Sequence, residues 1–232
     1  MEGILKQFEM YVEDGKIDRE LYEMSSKHTV LKDVRSLIRD KYAYSNSNDI
    51  DREMYDLFSN QSMLSYIPEF GEKYKCAFDL LSNNSVCLYN YPDWEQDEIS
   101  WLISRGVLIV DSKGSISLNQ SRVLILKDLY EHDVVCPIYY KDRSELDKLI
   151  SAGDLRTEST LFSVPEQQYF NYILNKSEFS NGLDLDNKYS HSTYPTNISQ
   201  QNDDYISLMK TLVVYVLKIH EELCLADDST GI

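Results

Sequence analysis

N-G-L-D-L-D-N-K-Y-S-H-S-T-Y-P, residues 181–195, is the stretch on which the reading of this chain turns. Gly182 marks a turn, and Asp184 or Leu185 opens a helix that Pro195 cannot continue. Within it Asn187 and His191 lie four positions apart, on one face of that helix, and Asp186 precedes them. Upstream, Ser163 is a good N-cap and Pro165 suits the first turn of a helix carrying Tyr169, Phe170, Ile173 and Leu174 as its apolar stripe. Downstream, Asp203 is positioned to cap a long final helix from Tyr205 to Cys224, with Leu208, Leu212, Tyr215, Val216 and Ile219 facing inward. The C-terminal part therefore reads as helix, short motif helix, polar loop, long helix.

The phrase L-D-N-K-Y-S-H-S, residues 185–192, resembles the L-R-N-x-x-x-H-G motif of HEPN-domain ribonucleases, with two departures. Asp186 stands at the arginine position, and Ser192 at the glycine that often follows the histidine. With the flanking helices the resemblance covers about residues 160–225. It implies an antiparallel helical bundle, usually dimeric, whose intact motif cuts RNA without metal. The ribose 2′-hydroxyl attacks, the histidine moves a proton, and the arginine stabilises the charge that grows on the phosphate. By that resemblance the catalytic positions are His191, Asn187 and Asp186. A carboxylate at Asp186 repels a phosphodiester and donates nothing to it, so activity is not expected. Lys188 is no substitute, since two residues along a helix turn it about 200° away.

The middle of the chain carries a second pattern. A helix over Glu95–Ser104 closes at Gly106, a strand follows over Val107–Val110, and Asp111–Gly114 makes a turn into a return strand over Ser115–Leu118. Another helix follows from Asn119. Over residues 73–135 this order is similar to a winged-helix domain. Its wing turn has one cation, Lys113, and the helix before it carries Arg105 among Glu95, Asp97 and Glu98, which disfavours DNA contact.

Before it, residues 3–44 are helix-prone: Ile4, Phe8, Tyr11 and Val12 recur at helical spacing, and Asp18 caps a second helix. Leu31, Val34, Leu37 and Ile38 predict a third helix over Val30–Tyr42. Further helices are expected over Ile50–Ser59, Glu72–Leu81 and Glu145–Ala152. The expected fold is mainly α: an N-terminal helical region (1–72), a winged-helix-like region (73–135) and a HEPN-like bundle (136–232).

Charge narrows the function. The chain has 39 acidic against 23 basic residues, a net charge of −16. Phosphate-coating proteins need a Lys/Arg surface, so general nucleic-acid binding is disfavoured and RNA remains only through the motif. Four cysteines without a C-x-x-C pair and four scattered histidines predict no metal site and no cofactor. No signal peptide or membrane span is visible, which points to the cytoplasm. The resemblance places the chain among bacterial toxin or antiphage-defence proteins, as a silent ribonuclease-like homodimer or partner of other subunits. The alternative is a non-enzymatic accessory or scaffold subunit of a larger complex.

Overall fold

The protein is mainly helical. The computed structural model describes residues 1–24, 29–71, 73–190 and 195–230, with side chains as far as 227. In chain order the elements are α1 (Glu2–Asp14), α2 (Arg19–Met24), β1 (Tyr42–Ser45), α3 (Asn48–Phe58), α4 (Ala77–Asn83), β2 (Val86–Cys87) and α5 (Asp93–Ser104). Then come β3 (Leu108–Val110), β4 (Ser115–Leu118), α6 (Gln120–His132), α7 (Ser144–Ala152), β5 (Leu155–Glu158), α8 (Val164–Leu174), α9 (Leu185–Ser190) and α10 (Ile198–Thr230). The chain forms two compact units: Met1–Tyr42 together with Glu158–Ile232, and Ala43–Thr157. These units and the three consecutive segments read from the sequence divide the chain differently. The reason is long-range contact such as Lys41 Nζ to the Leu161 carbonyl, which joins the two ends of the chain. β1 and β5 form a two-stranded sheet.

In the unit of residues 43–157, the Ser47 hydroxyl accepts from the Ile50 amide and starts α3. The second sheet has the order β2–β4–β3, all antiparallel, with Leu108 opposite Leu118 and Val110 opposite Ile116. The β3–β4 turn is held by Asp111, whose carboxylate accepts from the amides of Lys113 (2.8 Å) and Ser115 (2.9 Å). Gly114 takes the left-handed φ of 81° that this turn requires. The helix expected from Asn119 is α6, and Asn119 is its cap, its side chain accepting from the Arg122 amide. Ile50, Leu57, Leu80, Ile99, Leu102 and Leu126 form the heart of the core. A buried charge cluster sits beside it. Glu53 accepts from Arg105 Nε at 2.7 Å and from Arg122 Nε at 3.0 Å, and Arg105 reaches on to Asp154 at 2.6 Å.

In the unit of residues 1–42 with 158–232, Leu5, Phe8, Val34, Phe162, Phe170 and Tyr215 make the core. The Phe170 and Tyr215 rings meet edge to face at 4.7 Å. Ser163 and Glu166 form a capping box at the start of α8, with Pro165 in the first turn. The helix expected over Val30–Tyr42 is absent. Only Leu31–Asp33 forms a short 3-10 turn, and the backbone then pairs with residues 159–161, Leu161 N donating to Val34 O at 2.9 Å. The apolar stripe was real, since Leu31 and Val34 are buried and Leu37 packs beside them. It serves a segment whose hydrogen bonds are non-local, which overrides the periodicity. The final helix also starts earlier than expected, at Ile198, with the Asn197 side chain accepting from the Ser199 amide at 2.9 Å. Asp203 therefore lies inside α10 and does not cap it.

Candidate functional site

The motif helix α9 is set by the connector before it. Leu183 N donates to Tyr172 O at 2.8 Å, folding residues 175–184 back onto the end of α8. Gly182 is needed for this close approach: a Cβ there would lie 2.9 Å from the carbonyl oxygens of both Asn175 and Tyr172. Asp184 adopts a left-handed φ of 56°, and its carboxylate then accepts from Asn187 Nδ2 at 2.8 Å. Leu185 is fully buried and pins the helix.

The polar groups of α9 point in two directions. Lys188 Nζ and the Tyr189 hydroxyl both reach Asp204 Oδ2 of α10 at 2.9 Å. Burial and the neighbouring Asp204 carboxylate raise the Tyr189 phenol. Asp186 faces elsewhere, lining a cavity of about 590 Å³ with Glu2, Lys32, Asn171, Glu178 and Tyr215. The Asn171 amide donates to Glu178 at 2.9 Å. The Tyr215 hydroxyl is buried without a hydrogen-bond partner among the described residues, and burial raises it well above the usual phenol range.

Of the three sequence-predicted site residues, Asp186 and Asn187 both fall on α9 and are exposed. His191 lies outside the described residues. Asn187 is engaged by Asp184, and Asp186 makes no hydrogen bond or ion pair among the described residues. No three His, Cys, Asp or Glu side chains gather to hold a metal ion among the described residues.

Sequence reasoning missed Asp204 and Glu222, both buried on α10. Glu222 pairs with Lys41, accepts from the Ser36 hydroxyl, and accepts from the Leu37 amide at 2.6 Å. A helical wheel aligned on the polar members would have found them: Asp204, Thr211, Tyr215 and Glu222 follow a seven- and four-residue spacing. The inward face expected from apolar residues alone holds for Tyr215 and fails for Val216, which is 50% exposed.

No helix among the described residues is long and apolar enough to cross a membrane. The chain matches no family model, no curated protein and no solved structure.

Proposed function

We propose that this chain is a HEPN-like protein of the bacterial toxin or antiphage-defence type whose RNA-cleaving centre is silent, and that it acts by assembling with itself or with other subunits. The observation that carries the silent part is the charge around α9. The arginine position holds Asp186, which shares its cavity with the carboxylates of Glu2 and Glu178 against one side-chain cation, Lys32, and the nearby Lys188 is turned away onto Asp204. A phosphodiester brought to this helix meets carboxylates where catalysis needs a donor. Losing one such donor lowers a rate by about 10²–10³, and reversing its charge lowers it further.

The test is RNA cleavage in EDTA by the purified chain and by its Asp186→Arg variant. The chain itself should leave RNA intact and the variant should cut it, with activity lost again on adding His191→Ala. Cleavage by the unaltered chain that disappears with His191→Ala would sink the silent centre. Two folded but inactive proteins would sink the ribonuclease relationship.

A second reading, a non-enzymatic accessory subunit, is favoured by the fate of Arg105. The sheet order β2–β4–β3 with its flanking helices supports a winged-helix-like unit. Its one cation at the end of α5 is committed to Glu53 and Asp154, leaving Lys113 alone at the wing tip. Such a surface suits protein contact better than DNA. Salt-sensitive DNA binding abolished by Lys113→Glu would count against it.

A further inference from the structure

The cavity beside α9 leaves a buried hydroxyl idle. Tyr215 lines it, 1% exposed, and the Tyr215 ring packs on Phe162 and Phe170 at 5.0 and 4.7 Å. Its hydroxyl oxygen is enclosed and has no hydrogen-bond partner among the described residues. A buried hydroxyl is ordinarily bonded, because leaving it unpaired forfeits the hydrogen bonds it made in water. The other large enclosed tyrosine, Tyr91, follows that rule and donates to the Leu64 carbonyl at 3.3 Å. A phenylalanine at 215 would pack against the same rings, so the oxygen adds nothing to the core. What it has beside it is a cavity of about 590 Å³, within the usual range for a small-molecule site.

We infer that this cavity binds a small organic cation, an aliphatic amine whose ammonium is held by the carboxylates of the lining and by the Tyr215 oxygen. Three carboxylates border it, Glu2, Glu178 and Asp186, against one side-chain cation, Lys32. With the Met1 amino group counted as well, acid still outnumbers base by three to two. Two of the carboxylates already have donors. Glu2 accepts from the Thr29 amide at 3.2 Å and meets Lys6 at 3.3 Å, and Glu178 accepts from Asn171 at 2.9 Å. Asp186 has neither a hydrogen bond nor an ion pair among the described residues, and Lys32 pairs with none of the three there. The charge that bars a phosphodiester from this helix is thus the charge left over for an ammonium.

The remaining lining selects among cations. A bare metal ion needs several oxygens within one coordination shell, and no three acids gather that closely among the described residues. An organic cation several ångströms long has no such requirement and can meet separated carboxylates. Leu5, Val30 and Leu174 give the cavity an apolar side, on which the methylenes of an alkyl chain leave water. An ammonium carries only donors, and the carboxylates and the phenol oxygen accept. An anion would find Lys32, but it would also face the three carboxylates.

This goes beyond the functional reading above and does not rest on it, since its test contains no RNA and either result with RNA leaves it standing. The test is isothermal titration of the full chain with butylamine and with 1,4-diaminobutane in about 150 mM salt, which screens general attraction to an acidic chain. Both amines should bind with a dissociation constant of about 1 mM or tighter. Tyr215→Phe removes only the oxygen. It should weaken binding about tenfold while the chain melts no lower than before. Asp186→Asn, at an exposed position, should weaken binding by a similar factor and provides the same readout should Tyr215→Phe misfold. Asp97→Asn, an exposed acid of the other unit, should bind as the unaltered chain does. Butyrate and inorganic phosphate, the anions that Lys32 would attract, should not bind. Absence of binding by both amines, binding that Asp186→Asn or a folded Tyr215→Phe leaves unchanged, weakening by Asp97→Asn, or binding of either anion overturns the inference.

Discussion

Each unit buries a glutamate paired with cations, and the two are satisfied in different ways. Glu53, in the unit of residues 43–157, lies between two guanidinium groups, Arg105 and Arg122, which themselves reach Asp154 and Glu145. Burial pushes its carboxyl up, and the two arginines pull against that. Glu222, in the other unit, has one cation, Lys41, together with a hydroxyl and a backbone amide. The first is a network within one continuous stretch of chain. The second joins residues 36–41 to a helix 181 or more positions away, so it closes a unit made from both ends of the chain. A buried pair adds little over a well-packed apolar replacement, but removing one partner strands the other charge. The difference between the units is therefore how much remains when one carboxylate is lost.

That contrast predicts the largest effect. Glu222→Ala strands Lys41, 1% exposed, leaving it the Leu161 carbonyl and the Tyr42 ring but no counter-charge among the described residues, and should destabilise by about 3–5 kcal/mol. Glu53→Ala should cost less, about 3 kcal/mol, because Arg105 retains Asp154 and Arg122 retains Glu145. The units can be read separately. Both tryptophans, Trp94 and Trp101, lie in the unit of residues 43–157, so their fluorescence follows Glu53→Ala. Far-UV circular dichroism follows the long α10 and hence Glu222→Ala. A Glu222→Ala chain that melts in urea like the original would break the comparison. A Lys41→Met, Glu222→Leu pair that recovers most of the loss would sharpen it.

The same two sites show what the sequence could and could not disclose. The helix capped by Ser163, the hairpin turn at Asp111–Gly114 and the helix end before Gly106 were all readable, because each rests on contacts between near neighbours in sequence. Residues 30–42 were misread because their hydrogen bonds go to residues 159–161. Of the candidate site, the α9 segment with Asp186 and Asn187 was legible from its local motif. Asp204 and Glu222 were missed because an inward stripe is sought among apolar residues, and theirs shows only when the helical wheel is aligned on polar ones. The outer stripe of α10 was assigned partly to the core because an apolar stripe reads as inward by default, and on this helix the inward stripe is polar.

A smaller, pH-dependent effect separates the units further. In the unit of residues 43–157 burial raises Glu95 to about 7, and neither of its oxygens has a hydrogen-bond partner among the described residues. Asp56 is also raised to about 7, by burial and by the neighbouring Glu98 carboxylate, which Arg52 helps hold ionised. Both carboxyls ordinarily titrate near 4, so between about pH 4 and 7 the folded unit binds more protons than the unfolded chain. The contribution of these two groups to its stability is greatest below that window, falls as pH rises through it, and levels off above about 7. The slope reaches up to about 1.4 kcal/mol per pH unit for each group. Urea melts followed by tryptophan fluorescence should show a lower midpoint at pH 7.5 than at pH 5. Glu95→Gln should flatten part of that slope and raise stability at pH 7.5; an unchanged profile would reject the assignment to Glu95.

The smallest effect lies at the helix caps, where again one unit has more redundancy than the other. Ser163 and Glu166 cap α8 reciprocally, and Glu166 is held independently by Lys218 of α10 at 2.8 Å. Ser163→Ala removes the hydroxyl, but the Ser163 amide still donates to Glu166 at 2.7 Å, so the cost should sit near the low end of the ~0.5–2 kcal/mol range for caps. Ser47 has no such second support. Its hydroxyl both accepts from Ile50 N and donates to Asp154 at 2.9 Å, the same carboxylate that anchors Arg105. Ser47→Ala should therefore cost more, toward the upper end of that range, and should show in the tryptophan signal. Equal losses for the two substitutions would mean that Asp154 is held by Arg105 alone, and the network around Glu53 would then end one residue sooner.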